Sequence, residues 1–291
     1  MKPLNQWSRE ELLGELLHFQ YLAALALPRT AGFPDMANID YFATVEPYKG
    51  CVGGDYLTII NFDHYGIKQK IQQAKKSGNH NLATTLGKNL DSFGIAIGDV
   101  SGHMITDSLM VTYLDATFRA LVDGEIERLG EVTAGILKKL NQLLYRHIKP
   151  EFLKKKPYTT LLYGEVHNDG RFRHISAGHP GPILFSNEHN RIEKLTEDHK
   201  KASTPLGVFP SNYHADTGHF GMRHAVDKVN VNELHLLMPG DMMILHTDGL
   251  TEQRGGDLSF ADSRLEDVLR EVKQEPAKGV HDAIKRELFA F

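Results

Sequence analysis

The sequence has few of the residues that would point to a secreted, membrane-spanning or nucleic-acid-binding protein. Its single cysteine, Cys51, cannot form an intramolecular disulfide or a cysteine-rich zinc site, which favours a reducing compartment and predicts a cytoplasmic location. Lysine and arginine number 33 against 37 aspartates and glutamates, so a net charge of −4 offers no basic excess for nucleic acid. The longest apolar stretch near the start, residues 21–27, is far shorter than the roughly 20 residues of a membrane-spanning helix.

The 291 residues are sufficient for one large domain with a modest extension, and 41% of them are hydrophobic, which is enough for a core. Near the start, apolar residues recur every three or four positions and so share one helical face: Leu12, Leu16, Phe19, Ala23 and Leu27. Pro28 is expected to end this helix. We predict that the apolar stripe is covered either by the chain's own domain or by a second copy in a homodimer.

Further along, the pattern alternates between strand-rich and helical stretches. Strands are predicted within residues 51–62, 93–98, 158–185 and 241–247, and the Asn-Asp-Gly of residues 168–170 predicts a hairpin turn. Helices are predicted at 110–121, 132–144 and 265–291, whereas the polar residues 66–91 are interpreted as a long loop or a short exposed helix. This order lacks strict βαβ alternation, so we predict an α+β sandwich of mostly antiparallel sheets flanked by helices.

Three aspartates stand at strand ends next to glycine. Asp99 and Asp248 each end an apolar run, and Asp55 follows Gly53 and Gly54. A carboxylate on a rigid strand end, beside backbone that glycine leaves accessible, is suited to holding a hard cation such as Mg²⁺ or Mn²⁺. Each aspartate could instead cap a turn. Three such contexts in one chain favour a metal site.

These residues belong to five motifs whose order resembles that of the bacterial SpoIIE/RsbU branch of metal-dependent serine/threonine phosphatases, which have the protein phosphatase 2C fold. The motifs are Gly53-Gly54-Asp55-Tyr56, Gly98-Asp99-Val100-Ser101-Gly102-His103, Ser176-Ala177-Gly178-His179-Pro180, Pro205-Leu206-Gly207, and Pro239-Gly240-Asp241 leading to Thr247-Asp248-Gly249-Leu250-Thr251-Glu252. The resemblance implies a protein phosphatase 2C-like domain at residues 40–291, preceded by a helical regulatory segment at residues 1–39.

By the same resemblance, two Mn²⁺ or Mg²⁺ ions would bind between two sheets and activate a water for direct attack on phosphorus. Asp99 would bridge both ions. Asp55 and the Val100 carbonyl would serve the first ion, and Asp248 would hold the second. The implied substrate is a phosphorylated regulatory protein such as an anti-sigma-factor antagonist.

Two histidines lie inside these motifs. His103, four residues after Asp99, is a candidate general acid that would protonate the leaving oxygen. His179, in the Ala-Gly-His-Pro turn, is interpreted as a hydrogen-bonded structural residue.

The chain also departs from the family pattern. Relatives carry an acidic residue three positions after the Gly-Gly-Asp aspartate, where this chain has Thr58, and they close with an Asp-Asp-x-Thr strand that nothing after Asp248 resembles. Asp282 lies in a helical context and is a poor substitute, so either the last strand is missing or the second ion binds weakly. Asp241 or Glu252 would have to supply the ligand if that ion binds tightly.

These departures leave a second hypothesis open beside the phosphatase, namely a non-catalytic adaptor that retains the fold to bind a partner. A metal-dependent nuclease is a distant third, because aromatic and basic residues do not interleave as in a nucleic-acid groove.

Overall fold

The computed structural model describes residues 6–26, 33–46, 53–101, 107–147, 158–195, 203–209, 231–235, 238–255 and 257–291. The helices are α1 (Arg9–Ala26), α2 (Ile67–Lys76), α3 (His80–Gly87), α4 (Asp107–Leu129), α5 (Gly135–His147), α6 (Asp248–Glu252), α7 (Phe260–Ser263), α8 (Leu265–Val272) and α9 (Ala277–Ala290). The strands are β1 (Asp55–Ile60), β2 (Ser92–Val100), β3 (Thr159–His167), β4 (Arg171–Ala177), β5 (Ile183–Ser186), β6 (Arg191–Glu193), β7 (Asn232–His235), β8 (Met242–Ile244), β9 (Arg254–Gly255) and β10 (Leu258–Ser259). None of the helices within these ranges is long and apolar enough to cross a membrane.

Five strands form the first sheet in the order β1-β2-β3-β4-β7, and every neighbouring pair is antiparallel. The predicted hairpin is confirmed, because β3 and β4 are joined through residues 168–170 and Gly170 has the positive φ (86°) that such a turn requires. β2 lies inside the sheet and its side chains are buried on both faces, which explains its nearly continuous apolar sequence.

Helices α4 and α5 cover one face of the first sheet. Their buried side chains recur at three- and four-residue spacings, as predicted: Val111, Leu114, Phe118, Val122 and Ile126 on α4, and Ile136, Leu137, Leu140 and Leu144 on α5. They pack with side chains from one face of the strands, including Tyr56, Ala96 and Tyr163. This core fixes the helix layer against the sheet.

The segment predicted as a long loop or short exposed helix instead forms two helices, α2 and α3, that join the same core. Each helix buries only a few side chains, including Ile67 on α2 and Leu86 on α3. The Asn79 side chain caps α3 by accepting a hydrogen bond from the Leu82 amide at 3.1 Å. The loop alternative was wrong, whereas the short-helix alternative was right in kind, because the segment forms two short helices that each bury only two side chains.

The opposite face of the first sheet packs against a second sheet, ordered β6-β5-β8, and against the extended segment 33–46. Side chains of the second sheet alternate between its two faces. Leu184 and Met243 face the first sheet, whereas Phe185 and Met242 face the layer of α7, α8 and α9. The described parts therefore stack as helices, sheet, sheet and helices. The predicted α+β sandwich is confirmed.

Helix α1 lies against α4 and leaves much of its apolar surface uncovered. Six large apolar side chains on it are exposed: Leu12, Leu13, Leu16, Leu17, Tyr21 and Leu22. Part of the predicted stripe thus has no cover from the described residues, and homodimer formation stays a prediction. Residues 27–28, where we predicted the helix to end, lie outside the described residues.

Candidate metal centre

Asp55 and Asp99 lie opposite each other at one end of the first sheet. Asp55 opens β1 and pairs in antiparallel register with Asp99 of β2, which in turn pairs with Thr160 of β3. Directly opposed residues of antiparallel strands project their side chains from the same face, with Cβ atoms about 4.5–5.5 Å apart. The three side chains therefore form one row, and strand alternation puts that row on the face of Leu57, between the two sheets.

The backbone geometry at this end of the sheet explains why the predicted motifs contain glycine. A Cβ added to Gly98 would lie only 2.5 Å from the Thr160 carbonyl oxygen, so β3 can approach only because residue 98 has no side chain. The Val100 amide donates to the Gly54 carbonyl at 3.0 Å, and Val100 is fully buried. These contacts hold the Gly-Gly turn and the end of β2 together around Asp99.

Asp248 reaches the same place from the second sheet. It follows β8 and is the first residue of α6, with Thr247 at the cap position. After burial, which raises the pKa of the Asp55 carboxyl most, Thr247 lowers it by side-chain hydrogen bonding and the Asp248 carboxylate raises it. The three aspartates that the sequence analysis selected are therefore near enough to interact electrostatically.

The charges at this rim repel one another. The pKa of Asp99 is raised to about 7, first by burial and then by the carboxylates of Asp55, Asp248, Glu252 and Asp107. Burial also raises the pKa of Asp55, where the Thr247 hydrogen bond opposes the rise and Asp248 adds to it. A divalent ion would relieve the repulsion among these carboxylates.

The donor set of this rim suits a hard cation, since it consists of carboxylates together with the Val100 carbonyl. The ligand geometry itself is not assembled: within the described ranges, no three His, Cys, Asp or Glu side chains lie close enough to hold a metal ion. The carboxylates therefore interact electrostatically, but they are not close enough together to bind one ion in common. By donor chemistry and charge the residues fit Mn²⁺ or Mg²⁺.

Two further acidic residues act on Asp99. Asp107 opens α4, and Glu252 ends α6 four residues after Asp248. Glu252 was an alternative ligand from the sequence, whereas Asp107 was missed. Its only signal was its position at the start of a helix eight residues after Asp99.

The other acidic candidates have local partners. The Asp241 carboxylate accepts from the Asn187 amide at 3.0 Å and the Met238 amide at 3.1 Å, so it caps a turn. Asp282 is on α9, where it pairs with Lys278 at 2.5 Å. Neither is among the groups that act on Asp99.

Thr58, the departure from the family pattern, faces away from the aspartates. It lies three residues after Asp55, so strand alternation points it to the helix layer, where it is completely buried. There the Arg119 guanidinium donates to the Thr58 hydroxyl and pairs with Asp115, which accepts from the Tyr56 hydroxyl at 3.0 Å. The sequence change at 58 belongs to the contact between β1 and α4.

His179 is buried and hydrogen-bonded, which confirms its predicted structural character. Its Nδ1 lies 2.9 Å from the Thr160 hydroxyl, and burial lowers its pKa to about 4. His103, the predicted general acid, lies outside the described residues, as does Cys51. The role of His103 therefore stays a prediction.

Solved structures with this arrangement are protein phosphatase 2C-like domains. The SiaA-PP2C domain of Pseudomonas aeruginosa is 19% identical with a TM-score of 0.61, and the alignment covers 97% of this chain and 91% of that chain. The SpoIIE phosphatase structure from Bacillus subtilis, which includes a fragment of its regulatory domain, is 13% identical with a TM-score of 0.54, covering 87% and 59%. At these identities the likeness establishes the fold.

The RsbU and RsbW domains of Rv1364c from Mycobacterium tuberculosis are 17% identical with a TM-score of 0.54, covering 84% of this chain and 52% of that one. This chain thus spans about half the length of that relative. None of the curated proteins compared with it matches significantly. The sequence profile described as Stage II sporulation protein E (SpoIIE) matches residues 90–290, more than half of the chain. The chain belongs to the SpoIIE family.

Proposed function

We propose that this protein is a metal-dependent serine/threonine protein phosphatase that uses two Mn²⁺ or Mg²⁺ ions. The observation that carries the proposal is the meeting of Asp55, Asp99 and Asp248 from two sheets at one rim, where burial and mutual repulsion raise the pKa of Asp99. Membership of the SpoIIE family and the protein phosphatase 2C-like fold support the same assignment.

In this proposal Asp99 would contribute to holding both ions, Asp55 and the Val100 carbonyl would hold the first, and Asp248 would hold the second. Bound cations of this kind lower the pKa of a water and neutralise charge on phosphoryl oxygens. The chain's own part is to present Asp55 and Asp99 from strand ends and Asp248 from the first residue of α6. His103 is proposed to protonate the leaving serine or threonine oxygen.

The proposed substrate is a cytoplasmic phosphoserine or phosphothreonine regulatory protein, in particular a phosphorylated anti-sigma-factor antagonist. Support comes from the resemblance of the five motifs to the SpoIIE/RsbU branch and from a structural relative that contains RsbU and RsbW domains. We further propose that residues 1–39 are a regulatory segment and residues 40–291 the phosphatase domain, and that α1 joins two copies through its exposed leucines.

A second candidate function is a non-catalytic adaptor with the same fold. One observation favours it: within the described ranges, no three His, Cys, Asp or Glu side chains lie close enough to hold a metal ion. An adaptor would bind the phosphorylated partner or its kinase without turnover.

Phosphate release from a serine-phosphorylated anti-sigma-factor antagonist, with added Mn²⁺ or Mg²⁺ and with EDTA, separates the two functions. We expect release with metal and none in EDTA. Asp99→Asn should abolish turnover, whereas Asp282→Asn, which changes a carboxylate that pairs with Lys278, should not. Undiminished activity in EDTA contradicts the two-metal mechanism, and tight partner binding without turnover in Mn²⁺ supports the adaptor.

A further inference from the structure

His179 is held in place by its own turn. The Ser176 hydroxyl accepts from the His179 amide at 3.2 Å and donates to the His179 carbonyl at 3.0 Å. Gly178 has a positive φ of 67°, and a Cβ there would lie 2.4 Å from Pro205. The Ser-Ala-Gly-His and Pro-Leu-Gly motifs therefore pack directly on each other. The imidazole that follows this turn has little freedom to move.

The imidazole connects this turn to the row of side chains at the metal centre. Its Nδ1 is 2.9 Å from the hydroxyl of Thr160, and Thr160 is the cross-strand partner of Asp99. The Thr160 side chain is therefore fixed from one side by His179 and lies beside Asp99 on the other. β3 itself is held by the Thr159–Leu206 backbone pair, at 2.8 and 3.0 Å.

The second ring nitrogen is enclosed by the fold. Nε2 of His179 is buried and makes no hydrogen bond of normal geometry within the described residues. The groups that act on the His179 ring are the imidazole and the backbone of His246, two residues before Asp248. Because burial keeps His179 neutral, its effect on neighbouring carboxylates is directional rather than one of charge.

We propose that His179 is a positioning residue that acts through Thr160: it fixes the Thr160 hydroxyl beside Asp99, its cross-strand neighbour. The inference rests on the proposed function, because positioning matters only if the carboxylates bind metal. Polar groups that orient the ligands of a metal commonly change its affinity 10- to 100-fold when removed. Sequence reasoning interpreted His179 as structural and did not connect it to Asp99.

Mn²⁺ binding, followed by the electron paramagnetic resonance signal of the free ion, tests this inference independently of turnover. Thr160→Val keeps the branched shape and removes the hydroxyl, whereas Thr160→Ser retains the hydroxyl. Thr84→Val is the matched control, since the Thr84 hydroxyl is exposed and bonds only to its own helix at the His80 carbonyl, 2.9 Å away. Unfolding temperatures in EDTA establish that each variant is folded.

We expect Thr160→Val to weaken Mn²⁺ binding about 10-fold or more and Thr160→Ser to stay within about twofold of the parent. His179→Leu should weaken Mn²⁺ binding similarly. Because both residues act through one contact, the double variant His179→Leu/Thr160→Val should bind Mn²⁺ as tightly as the single variant with the lower affinity. If His179→Leu does not fold, the Mn²⁺ affinities of Thr160→Val and Thr160→Ser test the inference.

The inference is overturned if the parent binds Mn²⁺, Asp99→Asn does not, and Thr160→Val binds as the parent does. If the Thr160 and His179 variants have lower unfolding temperatures but unchanged Mn²⁺ affinity, the two residues have a structural role only, and the inference is overturned as well. A loss of affinity that Thr160→Ser does not restore also contradicts it. If the parent binds no Mn²⁺, the proposed function fails, and this inference fails with it.

Discussion

Replacing Asp99 by asparagine should stabilise the metal-free protein while it removes a metal ligand. The pKa of Asp99 is about 7 in the folded protein instead of its ordinary 3.8. Because each pKa unit corresponds to about 1.4 kcal/mol, ionising Asp99 in the fold costs at most about 4 kcal/mol. The side chain is only partly buried, so solvent screening reduces the cost to about 1–2 kcal/mol.

The direction in which Asp99 changes stability with pH follows from the linkage between proton binding and folding. The folded protein holds the Asp99 proton more tightly than the unfolded chain does, so the cost is absent below pH 3.8 and complete above pH 7. Asparagine cannot ionise and has no such cost. For a chain of 291 residues, we expect the unfolding temperature of Asp99→Asn at pH 8 in EDTA to exceed that of the parent by about 2–3 °C.

Differential scanning fluorimetry at pH 8 and pH 4 measures this effect, with Asp282→Asn as the control. Asp282 pairs with Lys278 and His281, which lowers its pKa, so removing its charge should bring no gain in stability. The gain of Asp99→Asn should disappear at pH 4. In Mn²⁺ the order should reverse, because only the parent gains stability from the ion.

The reasoning is refuted if Asp99→Asn is no more stable than the parent in EDTA at pH 8. An equal gain from Asp282→Asn would refute it as well, because the effect would then reflect net charge. Either result would mean that burial and the neighbouring carboxylates do not make the ionised Asp99 costly in the folded protein.

Three further predictions concern the geometry around the site and the leading helix. Gly98→Ala should lower the free energy of unfolding, measured in urea, by about 1–3 kcal/mol, because the added Cβ would lie 2.5 Å from the Thr160 carbonyl oxygen and must displace β3. An unchanged urea midpoint would contradict that close approach. Thr58→Asp, which restores the family's acidic residue, should lower the unfolding temperature without tightening Mn²⁺ binding in a titration, since Thr58 is buried against the helix layer. Leu13→Glu with Leu17→Glu should reduce the solution mass measured by light scattering to that of one chain if α1 joins two copies, and an already monomeric parent would contradict the homodimer.

Much of the local structure could be predicted from the sequence because its signals are local. Apolar residues at helical spacing predicted α4 and α5, and Asn-Asp-Gly predicted the turn between β3 and β4. The same reasoning placed Asp55, Asp99 and Asp248 at strand ends beside glycine. It left α2 and α3 undecided between a loop and a short helix, because each of them buries only two side chains.

The sequence by itself therefore determined that Asp55 and Asp99 stand at strand ends, whereas the structure shortens the predicted strand 241–247 to β8 and makes Asp248 the first residue of α6. Only the tertiary structure decided which of these aspartates lie near one another. Strand register is a long-range pairing, so no local pattern indicates that Asp55 lies opposite Asp99 or that Thr58 points to the other face. Asp248 joins them only because the second sheet packs its β8 end against the first. The contact of His179 with Thr160 depends likewise on the packing of a turn against a strand, since the two residues are near each other only in the folded chain.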